Sequence, residues 1–249
     1  MNPLLKVLVF ARSIFAIFVI FPIWTVFLIF LNIVNSLTIH NRAINDWIIS
    51  RWCRGNCWMF GVKVRVHGFE NLPVGTCLIL FNHTSFFDIF AIQAQVPSVR
   101  FGAKIELFKI PLFGPAMKRV GVLPIARGNL EEVLRVYKAA EPRAAAGEKF
   151  ALAPEGGRNT SAKSLMNFKA GPFLFAVSAK TPIVPVVVKG AREVWPVGRL
   201  IPQTLGLRAF VDIHFLPVVS VEGVLPAEKA KLQVQTYQEM SQKMAEIGY

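Results

Sequence analysis

Thr76-Cys77-Leu78-Ile79-Leu80-Phe81-Asn82-His83-Thr84-Ser85-Phe86-Phe87-Asp88 is the stretch from which the rest of the chain can be read. Its first half, Thr76 to Phe81, is an apolar run that predicts a buried strand. Thr84 and Ser85 are N-cap types, and the apolar residues from Phe86 to Ala91 predict a helix behind them. His83 thereby falls at a strand end, with Asp88 one turn further on. An α-helix turns about 100° per residue, so residues five apart diverge on a continuous helix. The pair can meet only with His83 in the turn before the helix, which is the arrangement these residues suggest.

Such a pair offers general-base chemistry. Neutral imidazole can take a proton from a hydroxyl near neutral pH. A carboxylate on the other ring nitrogen fixes the tautomer and stabilises the imidazolium that forms. A turn histidine beside a helix-capping aspartate has the same spacing, so the pair alone does not separate the two readings.

Three further clusters lie downstream. Val99 to Ala103 reads as a short strand that ends at Lys104. It is followed by a basic loop, Lys104-Ile105-Glu106-Leu107-Phe108-Lys109-Ile110-Pro111-Leu112-Phe113-Gly114. Gly121 to Arg127 reads as a strand ending in arginine. Leu130, Val133, Leu134 and Tyr137 mark an amphipathic helix that Pro142 is expected to end or kink. Phe150 to Ala153 is another strand, and it runs straight into Pro154-Glu155-Gly156-Gly157-Arg158. Helix-like Phe173 to Ala179, the strand Thr181 to Val188, the strand Ala209 to Phe215 and an amphipathic helix from Leu232 complete the pattern. Strands alternating with helices predict an α/β fold with a mixed, largely parallel sheet flanked by helices.

Ligand sites in such sheets lie outside the carboxyl ends of the strands. His83 with Asp88, Arg127, and Glu155 with Arg158 each fall at a predicted strand end. The glycines after Glu155, Gly156 among them, allow close backbone approach, and an arginine fork suits phosphate. Lys104, Arg127 and Arg158 could together hold a phosphate monoester. Singly, each is as well read as a solvated cation, and Glu155 as a local cap or ion-pair partner. Four elements in one order make the common reading stronger.

The N-terminal part differs in character. No charge stands between Arg12 and His40, and Ser13 to Leu31 is almost wholly apolar, broken by Pro22. The run is long enough to cross a hydrocarbon core. It lacks a small-x-small cleavage site and is too long for an ordinary signal-peptide h-region. Pro22 would permit a kink or a re-entrant path. From Ala43 to Met59, Ile44, Trp47, Ile48 and Trp52 recur at helical spacing. Trp47, Trp52 and Trp58, three of the five tryptophans, together with Arg51 and Arg54 favour a helix at the lipid interface over a core helix. The expected organisation is a membrane-embedded and interfacial helical segment over residues 1–60 and an α/β domain over 61–249.

Composition narrows the partners. The 249 residues are 53% hydrophobic and only 17% charged, yet carry a net charge of +13, and the mean hydropathy is +0.46. An apolar and basic chain suits an anionic membrane surface or anionic substrates. Nucleic acid is disfavoured as a partner, because no nucleic-acid-binding pattern appears and the apolar excess has no use there. Cys53, Cys57 and Cys77 form no CxxC pair and read as reduced thiols. His40, His67 and His214 lack ligand spacing, so no metal is expected.

Taken in order, the blocks resemble those of the glycerolipid acyltransferase family, its lysophosphatidate acyltransferase branch in particular. Asn82, His83 and Asp88 match an Asn-His-x4-Asp block, and Gly121 to Arg127 matches a strand ending in arginine. Pro154, Glu155, Gly156 and Arg158 match Phe-Pro-Glu-Gly-Thr-Arg. Pro182-Ile183-Val184-Pro185-Val186 matches a Pro-x-x-Pro-Val strand. Lys104, Glu106, Leu107, Pro111 and Gly114 match a further loop. Two positions depart: Ala153 stands where the family usually has Phe or Leu, and Gly157 where it usually has Thr or Ser. They bear on the acceptor more than on the reaction.

The resemblance implies a membrane-bound acyltransferase of phospholipid biosynthesis. The donor would be a fatty acyl thioester, acyl-CoA or acyl carrier protein, and the acceptor the sn-2 hydroxyl of lysophosphatidate. His83 would be the base and Asp88 its orienter. Lys104, Arg127 and Arg158 would bind the acceptor phosphate, with Glu155 positioning that loop and Gly156 part of the same phosphate-binding group. No cofactor or metal is implied, and no serine sits in a nucleophile elbow. The expected place is the inner (cytoplasmic) membrane, with the catalytic domain facing the cytosol. Other acceptors (lyso-ornithine lipid, other lysophospholipids, glycerol 3-phosphate) and a non-catalytic lipid-binding protein are the alternatives.

Overall fold

A computed structural model describes residues 3–161, 164–202 and 208–249. The chain starts with a continuous helical stretch, Pro3–Leu37, of 35 residues with a mean hydropathy of 2.8. It comprises α1 (Pro3–Phe15), a π-helical turn (Ala16–Ile20) and α2 (Phe21–Leu37). By length and composition it is the one helix among the described residues fit to cross a membrane. At 1.5 Å per residue it is about 50 Å long, more than a hydrocarbon core of about 30 Å requires. Pro22 does not break it. The turn before Pro22 is widened instead, with the Phe21 N–H donating to the Ala16 carbonyl five residues back. Proline lacks an N–H and crowds the preceding turn, and a π-turn relieves both.

α3 (Arg42–Met59) starts at Asn41, whose side chain accepts from the Ala43 and Ile44 amides. The reversal between α2 and α3 is stitched by asparagines. Asn45 Oδ1 accepts from Asn32 Nδ2 at 3.0 Å and from Asn35 Nδ2 at 2.7 Å, and Asn35 Nδ2 also reaches the Asn41 carbonyl at 2.8 Å. Amide pairs of this kind hold helices together where lateral apolar surroundings supply no hydrophobic drive.

Among the described residues the sheet has seven strands in the order β1-β7-β6-β2-β5-β3-β4. They are β1 (Val62–His67), β2 (Cys77–Phe81), β3 (Val99–Lys104), β4 (Leu123–Ile125), β5 (Lys149–Leu152), β6 (Ile183–Lys189) and β7 (Ala209–Phe215). β2 is central, every residue of it is buried, and it runs parallel to both β5 and β6. β3 runs parallel to β5 and to β4. A strand covered on both faces reads as a continuous apolar run, which is what Cys77 to Phe81 is.

Helices α4 (Phe87–Gln95), α5 (Phe113–Arg119), α6 (Leu130–Ala145), α7 (Gly171–Ser178), the short α8 (Ala191–Val194) and α9 (Lys229–Glu246) complete the fold. α6 runs through Pro142 to Ala145, where an end or a kink was expected. Pro142 lies in the last turn, where only one ladder bond is lost, and its carbonyl still accepts the Ala146 N–H at 3.0 Å. The stretch from Lys104 to Gly114 is not an open loop. It holds a 3-10 turn, Ile105–Lys109, and the start of α5. Gly114 is needed there because a Cβ would collide with the Phe108 carbonyl.

The chain falls into two compact units, each discontinuous in sequence. One takes the chain up to Arg65, Thr84–Ser98 and Val188–Ile213; the other takes Val66–His83, Val99–Val187 and His214–Tyr249. In the first, α3 lies on α4, with the Trp52 ring edge-on to Phe90 at 5.1 Å and Arg54 Nε donating to the Ala94 carbonyl at 3.0 Å. Phe60, Phe87 and Phe90 are its largest fully buried side chains. In the second, Phe150 packs edge-on against Phe175 at 5.4 Å, and Tyr137 stacks on Phe175 at 5.1 Å. Burying a Phe side chain contributes about 1.5–3 kcal/mol, so these rings anchor α6 and α7 on the sheet.

Candidate active site

Parallel register brings the site together. Leu80 of β2 pairs with Leu152 of β5, so Asn82 and His83 leave the sheet at the level of Pro154 and Glu155. Phe101 of β3 pairs with Ala151, and Lys104 with Ile125 of β4. Lys104, Arg127, Glu155 and His83 therefore emerge along one carboxyl edge of the sheet.

His83 is buried, and its peptide is held at both ends. Its N–H donates to Glu155 Oε1 at 3.0 Å, and its carbonyl accepts the Asn159 N–H at 2.6 Å. The imidazole lies edge-on to Phe81, 5.6 Å between ring centres. Thr84 and Ser85 follow directly. Asp88, fully buried at the start of α4, accepts both of their amides on Oδ2, at 2.7 and 2.8 Å. A carboxylate in the first turn of a helix gathers the donors there. Asp88 thus sets the turn that follows the histidine. Neither Thr84 nor Ser85 is the residue before the helix, as their types had predicted; that place falls to Phe86. Ser85 Oγ instead accepts the Phe87 N–H and donates to the Trp195 carbonyl at 2.8 Å.

Glu155, read from sequence as the residue that positions this loop, is buried. It is turned inward, and its Oε2 accepts from Asn159 Nδ2 at 3.0 Å and from the Met166 N–H at 2.8 Å, beside the His83 amide on Oε1. A carboxylate would repel a phosphate, and here it serves as the bracket that joins the two strand-end loops. Burial pushes its carboxyl up from the ordinary carboxylate range, against the pull of the Met166 and His83 amides and Asn159.

The cations are exposed at the strand ends and on the loop. Gly156 has φ +74°, a left-handed conformation that favours glycine. A Cβ on Gly157 would lie 3.9 Å from Arg127 Nη1, so the Arg127 guanidinium sits against this loop. Arg158 is exposed on the loop itself. Lys104 is exposed at the end of β3 and lies 3.3 Å from Glu106.

Two residues of the site were not singled out from sequence. Asn159 ties Glu155, the His83 carbonyl and the Ser164 carbonyl together, and its Oδ1 accepts the Ser161 N–H. Its signal was only that of a turn residue following a Gly-Gly-Arg run. Tyr249 is the other: its hydroxyl accepts from Asn82 Nδ2 at 2.7 Å, across 167 positions of sequence. No local pattern could have announced that bond. Tyr249→Phe removes this acceptor, and is expected to cost about 1 kcal/mol of stability and a several-fold drop in turnover. Thermal melting and steady-state rates check it.

The tryptophans divide. Trp47 and Trp58 are exposed, with Arg51 over the Trp47 ring at 5.2 Å. Trp52, placed at the interface by its spacing, turns into the helix packing instead: its Nε1 donates to Thr25 Oγ1 at 2.9 Å and its ring meets Phe21 and Phe90. Cys77, on the central strand, is buried, and burial pushes its thiol up to about 12, which leaves no thiolate to act as a nucleophile.

Comparison with known proteins follows the same outline. The family model described as Acyltransferase matches residues 63–189. The chain is 30% identical over 161 residues to a chloroplastic 1-acyl-sn-glycerol-3-phosphate acyltransferase of Brassica napus, covering 64% of this chain and 46% of that one. It is 27% identical over 214 residues to the 1-acyl-sn-glycerol-3-phosphate acyltransferase of Pseudomonas aeruginosa, covering 83% and 80%. The match thus spans about half the length of the plant relative. In fold, the chain is similar to the crystal structure of the 1-acyl-sn-glycerophosphate acyltransferase PlsC from Thermotoga maritima, with a TM-score of 0.77, 22% identity, and coverage of 100% and 98%. With its strand-end blocks inside the matched region and the family model covering residues 63–189, this chain belongs to the Acyltransferase family.

Proposed function

We propose that this protein transfers a fatty acyl group from an acyl thioester to the sn-2 hydroxyl of lysophosphatidate, forming phosphatidate. The observation that carries the reading is the bracket at Glu155. It holds the peptide of His83 on one oxygen and, on the other, Asn159 and Met166, which follow the cationic Gly156–Arg158 stretch, so that the base and this loop belong to one hydrogen-bonded body. The names of its relatives supply the acceptor.

In this reading the His83 imidazole takes the proton of the acceptor hydroxyl as its oxygen attacks the thioester carbonyl. The tetrahedral intermediate collapses with cleavage of the C–S bond. A thiol has a pKa of about 8.5 and leaves as thiolate without a strong acid, so the proton on His83 can pass to it or to solvent. Asp88 shapes the turn that carries the base. Arg127 and Arg158, with Lys104 further along the sheet edge, hold the phosphate and so place the hydroxyl. The donor is acyl-CoA or acyl carrier protein, and the chain's own side chains carry the steps.

Pro3–Leu37 supports a membrane-bound enzyme, since acceptor and product are lipids. Thioester donors are cytosolic, which favours the inner (cytoplasmic) membrane with the catalytic part on the cytosolic side. The test is an acyl-transfer assay on detergent-purified protein, with lysophosphatidate, glycerol 3-phosphate and a neutral lysolipid offered in parallel. Phosphatidate formed from lysophosphatidate alone supports the reading. Product from another acceptor would move the substrate, and no thioester consumption from either donor would refute the activity. Arg158→Ala is expected to raise the acceptor KM about tenfold, the effect of one charge-assisted contact, with the donor KM unchanged.

A further inference from the structure

One cation of the site stands outside the blocks that the sequence displays. The Lys169 N–H donates to the Pro154 carbonyl at 2.7 Å, which fastens this residue to the start of the Glu155–Arg158 loop. Its exposed side chain then runs across Gly156: a Cβ on that glycine would lie 3.3 Å from Lys169 Cγ and 3.6 Å from Cε. The ammonium is the next atom along. From another direction, Arg127 Nη1 comes within 3.9 Å of the Cβ position of Gly157. Arg158 belongs to the loop itself. Two cations therefore reach this loop and a third belongs to it, beside glycines that offer no side chain to cover them.

These charges lack an anion of their own. Among the described residues, no carboxylate lies within ion-pair distance of Arg127, Arg158 or Lys169. Glu155, in the same loop, faces the other way and is already occupied by three N–H donors. Lys104 differs, because Glu106 stands 3.3 Å from it. Like charges gathered at one loop repel, and the repulsion is relieved when an anion with several acceptor oxygens enters among them.

We propose that Lys169 binds the acceptor's phosphate together with Arg127 and Arg158, as a further cation of that site. The proposal rests on the lysophosphatidate reading above. The ligand chemistry is a phosphate monoester, which a CoA thioester also carries, and the two sources separate by which substrate responds. The glycines at 156 and 157 belong to the same device: they let the phosphate approach the loop while the lysine stem covers its backbone.

The test compares Lys169→Met, which keeps the stem over Gly156 and removes the charge, with Lys169→Arg, which restores it. KM for lysophosphatidate, KM for acyl-CoA and kcat are measured, together with Kd for lysophosphatidate by calorimetry in the same detergent. Lys169→Met should raise both the acceptor KM and the Kd about tenfold, as expected for one charge-assisted contact near the surface. It should leave kcat and the donor KM within about twofold, and Lys169→Arg should return the acceptor values to near the parent's. An unchanged Kd in Lys169→Met, a rise confined to the donor KM, or an equal loss in Lys169→Arg overturns the proposal. A parent that binds lysophosphatidate without forming phosphatidate refutes the proposed reaction, and the Kd comparison still decides Lys169. A parent that does not bind lysophosphatidate refutes both.

Discussion

Replacing His83 by alanine should lower turnover by a factor of about 10² to 10⁴, the usual contribution of a positioned general base, in a protein that still folds. The second half of this expectation follows from how the residue is held. Its amide is bound by Glu155 and its carbonyl by the Asn159 N–H, and both bonds survive the loss of the ring. Asp88 keeps its hold on the Thr84 and Ser85 amides. What disappears is the imidazole with its contacts, the edge contact with Phe81 among them, a truncation worth about 1–2 kcal/mol. The measurement is the single-turnover rate with acyl thioester and lysophosphatidate, beside a thermal melt. A variant that retains near-parental rates would falsify the role of His83.

Glu155→Gln should be the second large effect, and it is unusual in damaging both stability and rate. The carboxylate accepts from three N–H donors, one on Oε1 and two on Oε2. An amide has one oxygen. Whichever way it is turned, its NH₂ faces at least one buried donor, which costs about 1–3 kcal/mol. If the His83 side loses, the strand-end turn shifts against the cationic loop. Displacement of a base from its working geometry by even about 1 Å lowers rates on the order of a hundredfold. Melting temperature and kcat should therefore fall together, whereas Arg158→Ala should move the acceptor KM with little change in melting.

The pH dependence of stability gives an independent check on Glu155. Burial raises its carboxyl above the ordinary value of 4.5 in the folded protein. Between the unfolded and the folded pKa the native state binds more protons than the unfolded one. Stability from this group is thus fully present below the unfolded pKa and is lost as pH rises through the folded pKa. Denaturant midpoints for the parent should show this loss above pH 4.5, and the difference between parent and Glu155→Gln should change over the same window. A difference that is flat with pH would place the carboxylate in a more solvated setting than the loop suggests.

Much of the α/β framework was legible because its signals are local. Cys77 to Phe81 is apolar without interruption, as a strand covered on both faces must be, and Ala209 to Phe215 alternates with period two. The ordered blocks were legible for a chemical reason: imidazole, guanidinium and paired glycines at strand ends have few structural duties in common. Pro142 and Trp52 misled because local rules were overridden by context. A proline in the last turn loses one ladder bond that the end of the helix can spare. A tryptophan on a helix packs wherever a partner ring is offered, and Phe21 and Phe90 offer one.

By itself, then, the sequence determined the fold class and the family, and set the histidine and aspartate around one strand end. Those properties rest on residue type and on spacing within one segment. Tertiary structure decided the rest. Parallel register between β2 and β5 sets Glu155 beside His83, 72 residues away, and makes it the bracket of the site. It also brings Tyr249 to Asn82 and lays Lys169 over Gly156. Contacts between distant segments depend on register and on the packing of helices, and no periodicity in the chain records either one.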